Sequence, residues 1–195
     1  MKTLILASAS PRRRDMLGFF PFIVEVVVPH VDETLFPGES PDEAAERIAR
    51  AKAQAVAVYR GETFPILAAD TVVVIDGHVL GKPHNAEDAR RMLRLLAGRI
   101  HRVVTGVAIR WRGNERFFSV SSDVEFKPLS DKEIEDYVAS GEPMDKAGAY
   151  AVQGLGGFMV RNVRGSVSNV VGLPLAEVVT VLQEMGFLDG IAPRS

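Results

Sequence analysis

An α/β fold with a mixed sheet is the architecture that this sequence predicts. Strand-length apolar runs alternate with capped helical stretches through the first half, and a hairpin and further helices follow. The 195 residues are 47% hydrophobic and 25% charged, which is enough to bury a core and unlike a disordered or coiled-coil chain. No repeat, linker or low-complexity tract interrupts the pattern. A single domain over residues 1–195 is therefore expected, with its sheet shared by two lobes.

The elements follow in order. Thr3–Ala7 reads as a short buried strand, and Ser10-Pro11 as the N-cap and first position of a helix ending near Gly18. Ile23–Val28 is β-branched and reads as a second strand. Ser40-Pro41-Asp42-Glu43 has the form of a capping box with proline at its first helical position, opening a helix that runs to Gly61. Ile66–Ile75 reads as a strand that turns at Asp76-Gly77 into His78–Leu80. Asn85 caps a helix over Glu87–Ala97. Ile100–Trp111 and Arg116–Phe126 make a hairpin around Gly113-Asn114. Ser130-x-x-Glu133 is a second capping box, and that helix ends at Gly141. Phe158–Val163 reads as a strand after Gly154-Leu155-Gly156-Gly157, and Pro174–Met185 as a last helix.

Composition narrows the function. A net charge of −2 argues against a protein that coats nucleic acid, so any anion site is local. With no cysteine, thiol nucleophiles, disulfides and Cys-ligated metals are excluded. The four histidines show no paired metal-binding spacing, and no Gly-x-Ser-x-Gly occurs. No apolar run approaches the ~20 residues of a membrane span, and the N-terminal apolar stretch is too short for a secretory signal. The cytoplasm is the default location.

The informative positions are those that break their own local rules. Arg12, Arg13 and Arg14 open a helix at its positive end, where cations are disfavoured by ~0.3–1 kcal/mol each. An anion among Ser8, Ala9, Ser10 and the arginines resolves the conflict, because hydroxyls, backbone N–H groups and guanidinium forks suit phosphate oxygens. The alternative is that arginines, Arg14 first, point to solvent. Asp70 lies inside an otherwise apolar strand, where a carboxylate needs a cation, a metal or a proton unless a bulge exposes it. Such a group is a candidate general base or metal ligand. Lys52 falls on the same side of its helix as Ile48, Ala55 and Tyr59, so it either snorkels outward or meets an anion such as Asp70.

Asp32 and Glu33 add hard oxygen donors of the kind that suit Mg²⁺ or Mn²⁺. Gly77–Pro83 is one residue short of a P-loop and follows a hairpin, yet Lys82 can still serve a phosphate. Gly154-x-Gly156 lacks the third glycine of a dinucleotide fingerprint.

Taken together and in this order, the motifs resemble those of the Maf-type nucleoside triphosphate pyrophosphatases, relatives of the inosine triphosphatases. The residues that carry the resemblance are Leu6-Ala7-Ser8-Ala9-Ser10-Pro11-Arg12-Arg13, Val31-Asp32-Glu33, Ala51-Lys52-Ala53, Ala69-Asp70-Thr71-Val72-Val73, Gly81-Lys82-Pro83 and Lys146–Gly154. The resemblance implies an elongated mixed sheet with flanking helices, and two lobes around a cleft that takes the triphosphate. It also implies hydrolysis between the α and β phosphates with a divalent cation, a homodimer and a cytoplasmic location. By the same resemblance Asp70 is the proton acceptor. Ser8, Arg13, Glu33, Lys52 and Lys82 match the family's phosphate- and metal-handling positions, and Arg12, Thr71 and Gln153 those linked with substrate choice. The reading of the residues adds Ser10 to the phosphate binders and sets Glu33 and Asp70 as the metal ligands. Pro11-Arg12 and Ala149–Gly154 resemble the branch acting on dTTP and UTP. A 7-methyl-GTP pyrophosphatase and a non-catalytic, nucleotide-sensing regulator of cell division are the alternatives.

Overall fold

The computed structural model describes residues 2–191. Its strands are β1 (Thr3–Ala7), β2 (Ile23–Val26), β3 (Ile66–Ile75), β4 (His78–Leu80), β5 (Ile100–Trp111), β6 (Asn114–Phe126) and β7 (Val160–Arg164). They form one seven-stranded sheet in the order β2-β1-β3-β5-β6-β7, with β4 paired to β3 off that path. β1 runs parallel to β2 and β3, whereas β4 and β7 are antiparallel to β3 and β6. The sheet is mixed, as the alternation of elements predicts. Its helices are α1 (Pro11–Leu17), α2 (Pro41–Arg60), α3 (Ala86–Leu96), α4 (Asp131–Ala139), α5 (Val167–Val171) and α6 (Leu175–Glu184).

Both capping boxes form. The hydroxyls of Ser40 and Ser130 accept from the backbone N–H of Glu43 and Glu133, whose carboxylates accept in return from the cap residues' N–H groups. The Asn85 side chain caps α3 through the N–H of Asp88. Differences lie where no cap marks the boundary. β2 stops at Val26, short of the expected Val28. The second hairpin turns at Arg112-Gly113, one residue before the expected position, with φ of 53° and 77°. That turn type demands positive φ at both central positions, and the tight connection costs Arg112 a left-handed backbone. Leu155–Met159 is a 3₁₀ turn, so the expected strand at Phe158 begins at Val160. The short α5 has no counterpart among the expected elements.

By internal contacts the chain divides into two compact units. One holds residues 2–70, Thr105–Val120 and residues 172–191; the other holds Thr71–Val104 and Ser121–Val171. The chain passes from one unit to the other inside β3, between Asp70 and Thr71, and again inside β5 and inside β6.

In the first unit a seam of small side chains joins α2 to the sheet. Ala49, Ala53 and Val56 on the helix meet Ile5, Ala7, Ile66, Ala68 and Ala108 on the strands. The approach is closest at Gly106, where a Cβ would lie 2.2 Å from the Ala45 carbonyl carbon. Only glycine fits there. In the second unit Ala89, Met92, Leu93 and Leu96 form one face of α3, packed with Ile134, Tyr137 and Val138 of α4 and with Val73, Ile75, Val103, Val124 and Phe126 of the sheet. Within this core His101 stands edge-on to Phe126 and Tyr150, and its Nε2 is 2.8 Å from the Tyr150 hydroxyl. Burial pushes the imidazole down to about 4 and the Tyr150 phenol well above its ordinary value.

Gly106→Ala should force α2 away from β5, with a loss of about 3 kcal/mol or more of stability in denaturant titrations. The buried imidazole makes stability depend on pH. His101 takes a proton at about pH 4 when folded, against an ordinary value of 6.5. The unfolded chain thus binds the extra proton first, and stability falls as pH drops from the higher value to the lower. The loss amounts to roughly 3 kcal/mol, because each pH unit between the two values is worth about 1.36 kcal/mol. A His101→Phe variant should lose this component of the pH dependence; parallel stability curves for the two proteins would contradict it.

Candidate active site

β-strand alternation places Ile66, Ala68 and Asp70 on one face of β3. The first two pack in the α2 seam, so the third points toward the same helix. On α2 the buried positions are Ala44, Ala45, Ile48, Ala49, Lys52, Ala53 and Val56. Lys52 is thus part of the packed stripe, whereas Tyr59, expected beside it, is exposed near the helix end. The lysine does not snorkel outward. Its Nζ donates to Asp70 Oδ1 at 2.7 Å and lies 2.7 Å from Glu33 Oε1. The Lys52 and Asp70 side chains are only 11% and 12% exposed, against 49% for Glu33. Asp70 lies inside β3, away from its ends, and its need for a cation is met by Lys52.

A second cationic group lies in the same unit. Arg13 is buried; its Nε donates to the Gly172 carbonyl at 2.7 Å and its Nη1 to Ser8 Oγ at 3.0 Å. Burial pushes the guanidinium below its ordinary value, helped by Arg12 and opposed by the negative charges of Asp70 and Glu33. Ser8 Oγ also accepts the Ser10 N–H at 3.2 Å. With two donors already on its oxygen, the Ser8 hydroxyl has its own proton left to give. Ser10 occupies the N-cap of α1 without a side-chain capping bond. Arg12 is half-buried. Arg14 is exposed and pairs with Asp15, in line with the solvent alternative for that residue. Asp32 is turned to the N–H of Thr34 at 2.8 Å, and bonds from Thr34 hold its carboxyl below the usual range.

Glu33 and Asp70 present hard oxygens to one point. Among the described residues, no three His, Cys, Asp or Glu side chains are grouped to hold a metal. Two carboxylates fit an ion of the Mg²⁺ type, which takes its remaining ligands from water and phosphate oxygens. They do not fit an ion caged by protein alone.

The other sequence-predicted residues belong to the second unit. Thr71 is half-buried on the opposite face of β3 from Asp70. Lys82 is exposed on the loop after β4. That loop is tied to the late motif, because the Gly148 N–H donates to the Gly81 carbonyl at 3.0 Å. Gly148 itself presses on Val73, with room for no Cβ, and the adjacent Ala149 holds a left-handed φ of 60°. Strain of this kind, of order 1–3 kcal/mol, persists where the surroundings impose it. Gln153 is exposed, just before Gly154.

Sequence reasoning missed Glu142. Its Oε1 accepts from Gly156 N–H at 2.9 Å and from the Tyr137 hydroxyl at 3.0 Å, and its Oε2 from Leu155 N–H at 3.0 Å. Burial works to raise this carboxyl, but the Gly156, Leu155 and Tyr137 donors and the charge of Lys146 together hold it below its ordinary value. Between Gly141 and Pro143 the residue reads only as the end of a helix.

Known proteins resemble this chain in fold and in sequence. A Staphylococcus aureus Ham1 protein shares the fold with a TM-score of 0.51 and 15% identity, over 94% of this chain and 97% of that one. A Coxiella burnetii HAM1 protein does so with a TM-score of 0.51 and 18% identity, over 94% and 100%. These are likenesses of fold alone. At the sequence level the chain is 54% identical over 188 residues to an Anaeromyxobacter dehalogenans (strain 2CP-C) protein named dTTP/UTP pyrophosphatase, covering 94% of each. It is 48% identical over 187 residues to a Halalkalibacterium halodurans protein of the same name, covering 96% of this chain and 98% of that one. The family model described as Maf-like protein matches residues 3–185. The chain therefore belongs to the Maf family.

Proposed function

We propose that this chain hydrolyses nucleoside triphosphates, dTTP and UTP foremost, to the monophosphate and pyrophosphate. The observation that carries the reading is the Lys52 ammonium held between Glu33 and Asp70, in a family whose similar members bear that name. Asp70 is fixed through Oδ1 by Lys52. Its Oδ2 accepts a proton from the water attacking the α-phosphorus, and the bond from α-phosphorus to the bridging oxygen breaks as pyrophosphate leaves. Ser8, Ser10, Arg13, Lys52 and Lys82 bind phosphate oxygens and neutralise the charge that develops on the leaving group. Glu33 and Asp70 would hold a divalent cation, Mg²⁺ or Mn²⁺, which would supply Lewis-acid charge to the phosphates. Arg12, Thr71 and Gln153 govern substrate choice. The Gln153 amide offers one donor edge and one acceptor edge, as a uracil or thymine ring requires. A homodimer in the cytoplasm completes the reading; among the described residues no helix is long and apolar enough to cross a membrane.

The test is a panel of dTTP, UTP, CTP, GTP and 7-methyl-GTP with separate detection of pyrophosphate and orthophosphate. Pyrophosphate release is expected with dTTP and UTP, abolished by EDTA and restored by Mg²⁺ or Mn²⁺. Preference for 7-methyl-GTP, or orthophosphate as the product, would refute it. Asp70→Asn should fold, since Glu33 still balances Lys52, and should lose turnover by at least about 100-fold. A folded Asp70→Asn protein with undiminished pyrophosphate release would remove Asp70 from the role of base.

A further inference from the structure

We infer that Glu142 is a positioning residue for nucleobase selection, acting by closing the loop that carries Gln153. The inference rests on the reading of Gln153 given above.

Residues 142–156 leave the end of α4 and return to the same place. Only the short 3₁₀ turns Glu142–Asp145 and Ala147–Ala149 lie within the loop before a third opens at Leu155. A surface loop whose ends meet in this way holds its shape through its own side chains. Here one carboxylate joins the ends. Glu142 receives the N–H groups of Leu155 and Gly156 on its two oxygens, at 3.0 and 2.9 Å. Gly154 comes so close to it that a Cβ there would lie 2.9 Å from Oε2, at a φ of 85°. Gln153 is the residue immediately before this anchored turn. Its side chain is exposed, so no packing of its own fixes it. The direction of its Cα–Cβ bond is set by the backbone that Glu142 holds.

The carboxylate is itself fixed from behind by the Tyr137 hydroxyl at 3.0 Å. A second tie crosses the loop from Lys146 Nζ to the Glu142 carbonyl at 2.6 Å. An ionised carboxylate suits two backbone donors and a phenol because every one of its lone pairs accepts. An amide at the same position turns one of the two edges into a donor facing an N–H group. Glu142→Gln is therefore nearly isosteric and still breaks the closure. None of these atoms is placed on the reacting phosphates, so the consequence falls on selectivity rather than on the chemical step.

The experiment compares kcat and KM for dTTP, UTP and CTP across the wild type, Glu142→Gln, Gln153→Ala and the double variant, with thermal unfolding of each. The expected result is a folded Glu142→Gln protein whose kcat/KM preference for dTTP over CTP falls about tenfold, mainly through KM. The double variant should be no less selective than Gln153→Ala alone, because both changes act on the same contact. If Gln153→Ala lowers the preference and a folded Glu142→Gln does not, the positioning role is overturned and the Gln153 reading stands. An equal loss of kcat on all three nucleotides, with the preference unchanged, overturns the role as well. If Gln153→Ala leaves the preference unchanged, the Gln153 reading falls and this inference with it. Should Glu142→Gln fail to fold, Tyr137→Phe decides in its place: it withdraws one donor from the carboxylate and should shift the same preference in the same direction, by less. A folded Tyr137→Phe protein with unaltered preference then overturns the inference.

Discussion

The first unit depends on an ammonium sunk between a helix and a strand. Lys52 and Asp70 are both close to fully buried and lie 2.7 Å apart. Removing two such charges from water costs several kcal/mol each, and their attraction only about offsets it. Two apolar side chains of similar volume would hold α2 to β3 at least as firmly. The pair is therefore poorly explained by stability and well explained by chemistry. What permits it is the seam of alanines beside it. Ala49 and Ala53 on the helix face Ala7, Ala68 and Ala108 on the strands, and the backbone of α2 passes over Gly106 with no room for a methyl group. Larger residues in that seam would lift α2 and carry the ammonium out of reach of the carboxylate.

The second unit uses the same device with another anchor. There polar side chains and distant backbone groups organise the chain. Glu142 gathers the N–H groups of Leu155 and Gly156. Gly148 N–H holds the carbonyl of Gly81, next to Lys82. Tyr150 is pinned through its hydroxyl to His101 on β5. The late segment has little regular structure, so its hydrogen bonds must be made by side chains or by distant backbone. The left-handed conformation of Ala149 is what remains when these ties override the preference of an ordinary residue.

This contrast explains what could be read from the sequence. Helices were legible because their ends are local chemistry: Ser40 with Glu43 and Ser130 with Glu133 lie three residues apart. Asp70 and Lys52 were legible as violations, a carboxylate in an apolar strand and a cation on an apolar stripe. Their mutual contact was one of several open possibilities, since a one-dimensional pattern does not say which anion a lysine meets. Glu142 was invisible because, the Tyr137 hydroxyl apart, its partners are backbone groups 13 and 14 residues away, and backbone carries no sequence signal. Arg13 was legible as a cation at a helix start, but its partner was not: the guanidinium reaches the carbonyl of Gly172, 159 residues distant. The missed 3₁₀ turn at Leu155–Met159 has this origin too: the Glu142 carboxylate fixes its start, and the apolar run alone resembles a strand.

The exposure of the two carboxylates on Lys52 bears on how their duties divide. Asp70 is built into a sheet strand and 12% exposed, so its position is dictated by β3 and its neighbours. Glu33 lies on the irregular segment before α2, and its side chain is 49% exposed. Its bond to Lys52 is the more solvated of the two and the easier to exchange, because exposed ion pairs contribute only about 0–1 kcal/mol. Arg13 and Lys52 against Glu33 and Asp70 make the cluster nearly neutral, and a polyphosphate needs more positive charge than neutrality provides. On the proposed reading, a divalent cation held by Glu33 and Asp70 would supply that excess. A proton acceptor must be held still and a cation ligand must be able to rearrange. On the proposed reading the rigid strand position suits Asp70 as the proton acceptor, and the solvated loop position suits Glu33 as the cation ligand that rearranges.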